Sequence, residues 1–351
     1  MKLIFKIFFL SVSILQFHWV GGQDIHFSQF YEQPMLRNPA LAGIYSGDIR
    51  VISSYRNQWQ SVTTPYRTFS LSSEVKIPLD FISEGDHFSI GLQLAKDVAG
   101  TSNFSKTMFL PVFNYHKLLN EENNTYLSGA IMGGFVQQQF DPTKLILNDQ
   151  FSLNANGTFN ILSTSQQTFE RTNVTYPELS AGVSFSSQLA YGADYYIGLG
   201  FFNLTKPKLF FSGNEIQLNP KFALNAGLAI ATSDINELIL YGDYFRQGGH
   251  NSFQGGLLYG WDFFTQADIR NGIRAGAFYR WNDAFIPVIQ LELNKIIIGV
   301  SYDANVSKLV TASQYRGGLE VTLSYRNFLN VRNKALMGTR CPKFGFMPTV
   351  Y

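Results

Sequence analysis

Apolar and polar residues alternate along the C-terminal third of the chain. In residues 316–326 one face of an extended strand would be apolar, with Leu319, Val321, Leu323 and Tyr325. The opposite face would be polar or small, with Gly318, Glu320, Thr322, Ser324 and Arg326. A period of two places alternate side chains on opposite faces of a sheet. A sheet with one apolar face and one polar face can separate lipid from an aqueous lumen. The pattern therefore predicts an all-β, transmembrane antiparallel outer-membrane β-barrel.

Candidate strands follow one another along the chain from residue 48 to residue 326. We count about 14, within a range of about 12–16, and an even number is the rule for single-chain bacterial barrels. Most are close to the ~9–11 residues that cross a bilayer at a tilt. The candidate strands are 48–56, 66–76, 87–96, 105–116, 126–138, 177–188, 193–203, 219–232, 236–245, 251–262, 271–282, 284–294, 295–304 and 316–326.

The connections between these strands alternate in length. The longest all follow odd-numbered strands and are 139–176, 204–218 and 305–315. The shortest all follow even-numbered strands and are 189–192, 233–235 and 293–295. Since every second connection lies on the same side of the membrane, the long ones share one side, as extracellular loops do. Three even-side connections are longer than this scheme prefers, namely 77–86, 117–125 and 263–270. Residues 139–176 fit an extracellular loop, a lumen plug or a short extra hairpin.

Residues 1–22 have the features of a secretory signal. Lys2 and Lys6 give a basic start, a largely apolar stretch follows, and Val20 and Gly22 are small enough for a cleavage site. A transmembrane anchor is the alternative, which the polar residues inside the stretch disfavour. The expected organisation is a signal peptide at 1–22, a periplasmic lead or plug at 23–47, the barrel at 48–326 and a C-terminal periplasmic extension at 327–351.

Composition agrees with a barrel. Charged residues make up 15% of the chain, well below the usual quarter, while aromatic residues also reach 15%. The formal net charge of +2 is too small to produce the strong positive electrostatic potential that attracts nucleic acid. A mean hydropathy of −0.02 is too low for a helical membrane protein, and it fits a barrel with a polar lumen.

The sequence contains no recognisable catalytic or metal-binding motif. Its five histidines are scattered, without an HExxH pattern or the spacing of metal ligands. Cys341 is the only cysteine, so no internal disulfide can form. We therefore expect a protein that is not an enzyme and that uses no cofactor and no metal.

Side chains on the two predicted faces carry further expectations. Aromatic residues at strand ends are expected to anchor the barrel in the membrane interface, with ligand stacking as the alternative: Tyr55, Trp59, Trp261 and Trp281. Charged residues on the lumen side are expected to pair across the barrel, with a substrate path as the alternative: Arg274, Arg280, Glu320 and Arg326. Bulky residues on inward positions would narrow the lumen and argue against an open pore: Ile52, Tyr241, Phe245 and Phe278.

Short motifs are spread over the chain in a fixed order. The segment after the predicted cleavage site contains Gln23-Asp24, Phe27-Ser28-Gln29 and Asn38-Pro39-Ala40-Leu41-Ala42-Gly43. The end of the first strand reads Tyr55-Arg56-Asn57-Gln58-Trp59. The long loop carries Asp141, Lys144, Asp149 and Gln150. The C-terminal strands carry Tyr302, Asp303, Asn305, Ser307 and Glu320. Together these segments, over residues 23–326, resemble the PorP/SprF family, outer-membrane proteins of the type IX secretion and gliding apparatus of Bacteroidota.

The resemblance implies a role in presenting proteins that the type IX system exports. Family members are associated with the secretion and surface retention of large adhesins through the C-terminal domain of the cargo. They are also associated with the periplasmic lipoprotein ring that couples to the motor. The implied partners are therefore such a cargo, the ring lipoproteins and outer-membrane lipid, with no nucleic acid. A diffusion pore or solute transporter is the alternative function, and a soluble periplasmic β-protein is a third.

The N-terminal motif has a physical interpretation of its own. Pro39 fixes its own φ and biases Asn38 away from helix, so this pair starts a turn. Gly43 and Gly47 permit a tight bend before the first strand. Residues 23–29 would then form either an ordered periplasmic lead or a lumen plug. A seal at the barrel mouth and a direct contact with the secretion ring are both consistent with the motif.

Overall fold

A computed structural model of the protein describes most of residues 25–328. The gaps are 61–63, 79–82, 84, 155, 157, 162–164, 191, 212, 214, 267–268 and 309. The predicted signal peptide, Gln23, Asp24, Cys341 and the predicted extension from residue 329 onward lie outside the described residues. Among the described residues, no helix is both long and apolar enough to cross a membrane.

Fourteen of the strands in the described residues form one closed antiparallel barrel. These barrel strands are β1 (Ile49–Gln58), β2 (Tyr66–Pro78), β3 (His87–Ala99), β4 (Phe104–Asn120), β5 (Thr125–Gln139), β8 (Asn173–Ala190), β9 (Ala193–Phe202), β12 (Lys221–Ser233), β13 (Asn236–Gln247), β14 (His250–Gln266), β15 (Ile269–Arg280), β16 (Ala284–Leu293), β17 (Ile296–Asn305) and β18 (Gly318–Asn327). Two small separate sheets are formed by β6 (Phe151–Leu153) with β7 (Phe159–Ile161), and by β10 (Lys208–Leu209) with β11 (Ile216–Gln217).

The predicted barrel of about 14 strands is confirmed, and the strand boundaries move by a few residues. Strands β4 and β14 continue beyond their predicted ends, to Asn120 and Gln266, and the connection 121–124 is shorter than the sequence indicated. Strand β8 begins at Asn173 rather than at residue 177, because residues 173–176 remain paired with the end of β5. Interstrand pairing therefore lengthens strands whose own residues do not alternate clearly.

Closure joins the first and last strands. Strand β1 pairs with β18 so that Arg56 lies opposite Glu320 and Tyr55 lies opposite Val321. With every barrel strand paired on both sides, no backbone edge faces the lipid. Closure also places two family-motif residues, Arg56 and Glu320, next to each other on the lumen side.

The two faces of the barrel follow the predicted alternation. In β18, the side chains of Leu319, Val321 and Leu323 are exposed on the outer face. Glu320 and Thr322 are buried on the inner face. The inward positions predicted for Ile52 and Phe278 are also confirmed, since each is 1% exposed.

The connections divide the barrel into two ends. The long-loop end carries residues 140–172, 203–220 and 306–317, and the last of these includes a short helix at Val310–Ser313. The short-turn end carries the connections that follow β2, β4, β8, β12, β14 and β16. Within 140–172, β6 and β7 form the short hairpin that was one of the three predicted forms of this segment.

Candidate functional site

Residues 25–47, which we call the plug, lie inside the barrel. Every residue from 27 to 47 is buried except Glu32 and Leu36, which are half-buried. Both clusters of buried apolar side chains contain residues of the plug as well as residues of the wall. The core of this protein is therefore its filled lumen.

The local sequence shapes the plug into three short turns. These are a 3-10 turn at Phe30–Glu32, the helix α1 at Pro34–Arg37 and a second 3-10 turn at Pro39–Leu41. Pro34 and Pro39 begin two of them, where the missing N–H of proline has no cost. Asn38 is extended, as expected before proline, and its side chain accepts a hydrogen bond from the Ala40 amide at 2.9 Å. Frequent turns keep the segment compact enough to fit between the strands.

The plug runs through the lumen from one end to the other. Its first residues meet the long-loop end, where Ser28 contacts Asp303 near the end of β17. Its last residues meet the short-turn end, where the Gly43 amide donates to Glu74 near the end of β2 at 2.6 Å. The chain then enters β1 from the short-turn end.

A carboxylate from β18 binds the backbone at the start of the plug. The amides of Ser28 and Gln29 both donate to Glu320, at 2.6 Å and 2.9 Å. Glu320 is fully buried, so these bonds replace the water that its oxygens would otherwise bind. The Gln29 side chain also accepts from Thr322 of β18, at 3.0 Å.

Asp303 lies at the centre of an ion cluster beside this contact. Arg56 of β1 and Arg280 of β15 each place an Nη2 atom 2.5 Å from Oδ2 of Asp303. Oδ1 of Asp303 accepts from the Ser28 hydroxyl. All four side chains are buried, so two cations share one carboxylate away from water. This geometry fixes the start of the plug to three separate strands of the wall.

The middle of the plug is held by one ion pair and by stacked rings. Arg37 forms a bidentate pair with Asp243 of β13. The Tyr31 ring stacks on Tyr241 with centroids 4.8 Å apart, and Phe30 meets Phe278 edge-on at 5.4 Å. Aromatic rings bury a large apolar area, so these contacts stabilise the packing of the plug against the wall and also fix its position.

Backbone carbonyls of the plug are also satisfied by the wall. Asn114 of β4 donates to the carbonyls of Ala40 and Ala42, at 2.9 Å and 2.7 Å. Ser184 of β8 donates to the Ala40 carbonyl at 2.9 Å, and Asn38 donates to the Val183 carbonyl at 3.2 Å. The bonds to the Ala40 and Ala42 carbonyls supply what a strand or helix would otherwise give to an irregular backbone.

The structure brings together some of the family-motif residues and separates others. Phe27, Ser28, Gln29, Asn38, Pro39 and Gly43 belong to the plug, and Arg56, Asp303 and Glu320 bind its start. Tyr55 and Tyr302 point outward instead, with 46% and 42% of their surface exposed. Trp59 stands just past β1 with a positive φ of 66°. Asn305 caps the following loop by accepting from the Ser307 amide at 2.8 Å.

The motif residues of the long loop stabilise that loop locally. Asp141 accepts from the Thr143 amide at 3.1 Å, and Lys144 lies 3.7 Å from Asp141. Asp149 accepts from the Gln166 amide at 2.6 Å. Gln150 accepts from the Leu147 amide at 2.7 Å. These side-chain bonds lie within the loop, whereas the backbone amide of Asp141 donates to the Ser102 carbonyl, between β3 and β4, at 2.8 Å.

Several residues that hold the plug were not singled out in the sequence. Gln33 bridges two strands by donating to Ser54 at 2.7 Å and accepting from Ser70 at 2.6 Å. Arg37 and Asp243 were likewise missed. A polar residue amid a largely apolar N-terminal segment was the available signal for Gln33 and Arg37. Asp243 looked like any other inward-facing polar position.

The lumen charge Arg274 is paired, but with acids of nearby strands and not across the barrel. It donates to Glu237 of β13 at 2.6 Å and also pairs with Glu292 of β16, which Arg326 reaches at 3.3 Å. Among residues that the structure describes, no group of three or more His, Cys, Asp or Glu side chains is arranged to hold a metal. The arrangement can therefore bind a peptide segment through ion pairs and through hydrogen bonds to backbone amides.

This chain is similar to several solved structures at low sequence identity. The translocator domain of the autotransporter NalP from Neisseria meningitidis is 13% identical, with 85% of this chain and 96% of that chain covered at a TM-score of 0.46. A FadL homologue from Pseudomonas aeruginosa is 9% identical, with 82% and 92% covered at 0.49. BamA from Haemophilus ducreyi, lacking POTRA domains 1–3, is 8% identical, with 80% and 70% covered at 0.39. No curated protein matches the sequence significantly.

One family model matches almost the whole chain. It describes the type IX secretion system membrane protein PorP/SprF, and it matches residues 20–325. The match includes the plug and all but the last residues of the barrel, so it confirms the resemblance of the sequence motifs. A closed barrel with an apolar outer face, in a family of secretion-system membrane proteins, places this protein in the outer membrane. This chain belongs to the PorP/SprF family of type IX secretion system membrane proteins.

Proposed function

We propose that this barrel is a non-enzymatic anchor of the type IX secretion system. It holds a secreted adhesin at the cell surface through the C-terminal domain of that cargo. At its periplasmic end it couples the cargo to the lipoprotein ring and the gliding motor. The proposal rests on membership of the family and on one structural observation, the plugged lumen.

The plug supports an anchor over a pore. Ion pairs, amide–carboxylate bonds and stacked rings attach residues 27–47 to strands all around the barrel. A diffusion pore needs a continuous aqueous path, and here the path is occupied by protein. The surfaces left for function are the two ends of the barrel, where partners can dock without entering it.

The long-loop end offers apolar side chains that are suited to a protein partner. Ile146 and Ile216 lie in two different long loops and are 61% and 64% exposed. Large exposed apolar residues on loops are typical of contact surfaces when they cluster with polar neighbours. The exposed ion pair of Lys208 with Glu215, at 2.8 Å, provides such polar neighbours for Ile216.

An affinity pull-down from detergent-solubilised outer membrane tests the proposal. Tagged wild-type protein is expected to recover a large adhesin with its C-terminal domain, together with ring lipoproteins. The double variant Ile146→Ser/Ile216→Ser should recover less adhesin and unchanged amounts of ring lipoprotein. Leu189→Ser is the matched control, because Leu189 is 66% exposed near the short-turn end.

Single-channel recording separates the anchor from the pore. The wild-type barrel is expected to show little or no steady conductance in a planar bilayer. Large steady conductance, combined with recovery of the barrel alone in the pull-down, would overturn the proposal in favour of a transport pore.

A further inference from the structure

A small cavity separates the plug from the barrel wall toward the short-turn end. Its volume is about 80 Å³, enough for a few water molecules or for one small oxyanion. Four arginines line it, namely Arg37, Arg50, Arg274 and Arg326. Glu32 is the only acidic residue among the described residues that line the cavity. Such a lining is rich in positive charge and in hydrogen-bond donors.

Two buried donors on this lining have no protein partner among the described residues. They are the Tyr31 hydroxyl and Nη2 of Arg50. Tyr31 is 7% exposed, and its ring is fixed by the stack on Tyr241. Arg50 is fixed too, because its Nε donates to Glu74 at 2.6 Å and its guanidinium lies 4.3 Å from the Tyr45 ring centroid. Both donors are therefore fixed in position, and neither donates a hydrogen bond to another described residue.

The carboxylates that balance these arginines are not part of the lining. Arg37 is paired with Asp243, Arg50 with Glu74, Arg274 with Glu237 and Arg326 with Glu292, and none of these four acids lines the cavity. Glu32, the lining carboxylate, already accepts from Gln290 at 3.1 Å. These acids bind the guanidinium groups outside the cavity lining, and Nη2 of Arg50 is left without a protein partner among the described residues.

We propose that this cavity binds one small oxyanion of the phosphate type, held by Tyr31, Arg50 and Arg326. Guanidinium groups match the oxygens of phosphate in charge and in geometry, and a hydroxyl adds a neutral donor. Tyr31 belongs to the plug, whereas Arg50 and Arg326 belong to β1 and β18. A bound anion therefore ties the plug to the closing seam of the barrel. The proposal is independent of which partner the barrel anchors.

Equilibrium dialysis of the detergent-purified protein against radiolabelled inorganic phosphate tests this site. At constant ionic strength, the wild-type protein is expected to bind one phosphate per barrel in a saturable manner. Tyr31→Phe keeps the ring stack and removes only the hydroxyl. Arg326→Gln removes one guanidinium that is partly exposed. Each variant should raise the dissociation constant by about tenfold, the effect of losing one good hydrogen bond to a charged ligand.

Arg246→Gln is the matched control, because Arg246 is exposed near the opposite, long-loop end of the barrel. Its phosphate affinity should equal that of the wild type. Thermal unfolding gives a second readout, since a ligand that binds only the folded state raises the melting temperature. Phosphate should raise it more in the wild type than in Tyr31→Phe, whereas a general salt effect would raise both equally. Absence of saturable binding, or equal binding by wild type, Tyr31→Phe and Arg326→Gln, would overturn the site.

Discussion

Arg37 of the plug donates two parallel hydrogen bonds to Asp243 of the wall, from Nε at 2.7 Å and from Nη2 at 2.6 Å. Both residues are buried, and the guanidinium carbon also lies 5.1 Å from the Phe30 ring centroid. A bidentate pair in this setting fixes position and orientation at once. It joins the middle of the plug to β13, so plug and barrel behave as one folded unit.

Replacing Arg37 should release the middle of the plug. In Arg37→Met the buried Asp243 loses its cation, and breaking a buried pair in this way costs about 3–5 kcal/mol. We expect faster proteolysis within residues 25–47 and a lower denaturation midpoint of the folded barrel in detergent. Lys208→Met is the control, because it breaks a solvent-exposed ion pair, which contributes little to stability. Equal behaviour of the two variants would contradict the role given to Arg37.

Replacing Glu320 should loosen the start of the plug. Glu320→Ala removes the acceptor of the Ser28 and Gln29 amides, and an unsatisfied buried amide costs about 1–3 kcal/mol. Hydrogen–deuterium exchange of these two amides should become roughly tenfold faster or more. The Gln33 amide, which donates to the Phe30 carbonyl at 2.9 Å, is an internal control and should change less. Unchanged protection of Ser28 and Gln29 would refute the contact.

A side chain at Gly43 should prevent the plug from seating. Gly43 has a φ of +88°, and a Cβ built there would lie 1.9 Å from Ser89 Oγ and 2.6 Å from His116 Nε2. Gly43→Ala therefore combines backbone strain with overpacking, which costs about 1–3 kcal/mol or more. We expect less folded barrel after extraction, measured by heat-modifiable migration on gels. Gly100→Ala has a similar backbone strain, with φ +68° and open space around the Cβ, so it should fold better.

Acid should loosen the long loop around Asp149. Desolvation raises the pKa of Asp149, but hydrogen bonds from the Gln166 amide and the Ser165 hydroxyl lower it more. The net pKa lies below the ordinary 3.8, so this carboxylate stabilises the loop above that pH. The stabilisation is lost as the pH falls through the lowered pKa.

Limited pepsin digestion between about pH 5 and pH 2 measures this effect. Cleavage of the wild-type loop should be slower than that of Asp149→Asn at the upper end of the range. The two rates should converge at the lower end, where the carboxylate is protonated. Glu170→Gln, an exposed change in the same loop, serves as the control and should follow the wild type. A constant ratio of wild type to Asp149→Asn across the range would contradict the proposal.

The positions of the strands could be predicted from the sequence because apolar and polar residues alternate within each strand. Leu319 faces lipid and Glu320 faces the lumen for the same reason, the two-residue period of a strand. The inward positions of Ile52 and Phe278 followed from the same rule. The boundaries of β4, β8 and β14 did not, because pairing with a neighbouring strand extended them past the clear pattern.

The sequence by itself determined the barrel class, the approximate strand count, the two faces and the family motifs. Each of these features depends on residues that are close together in the sequence. Only the tertiary structure decided that Ser28 and Gln29 bind Glu320, and that Arg37 binds Asp243. These partners lie hundreds of residues apart, and they meet because closure of β1 on β18 encloses the plug. A local pattern can show that a polar side chain points inward, but the partner it meets there depends on the whole circumference of the barrel.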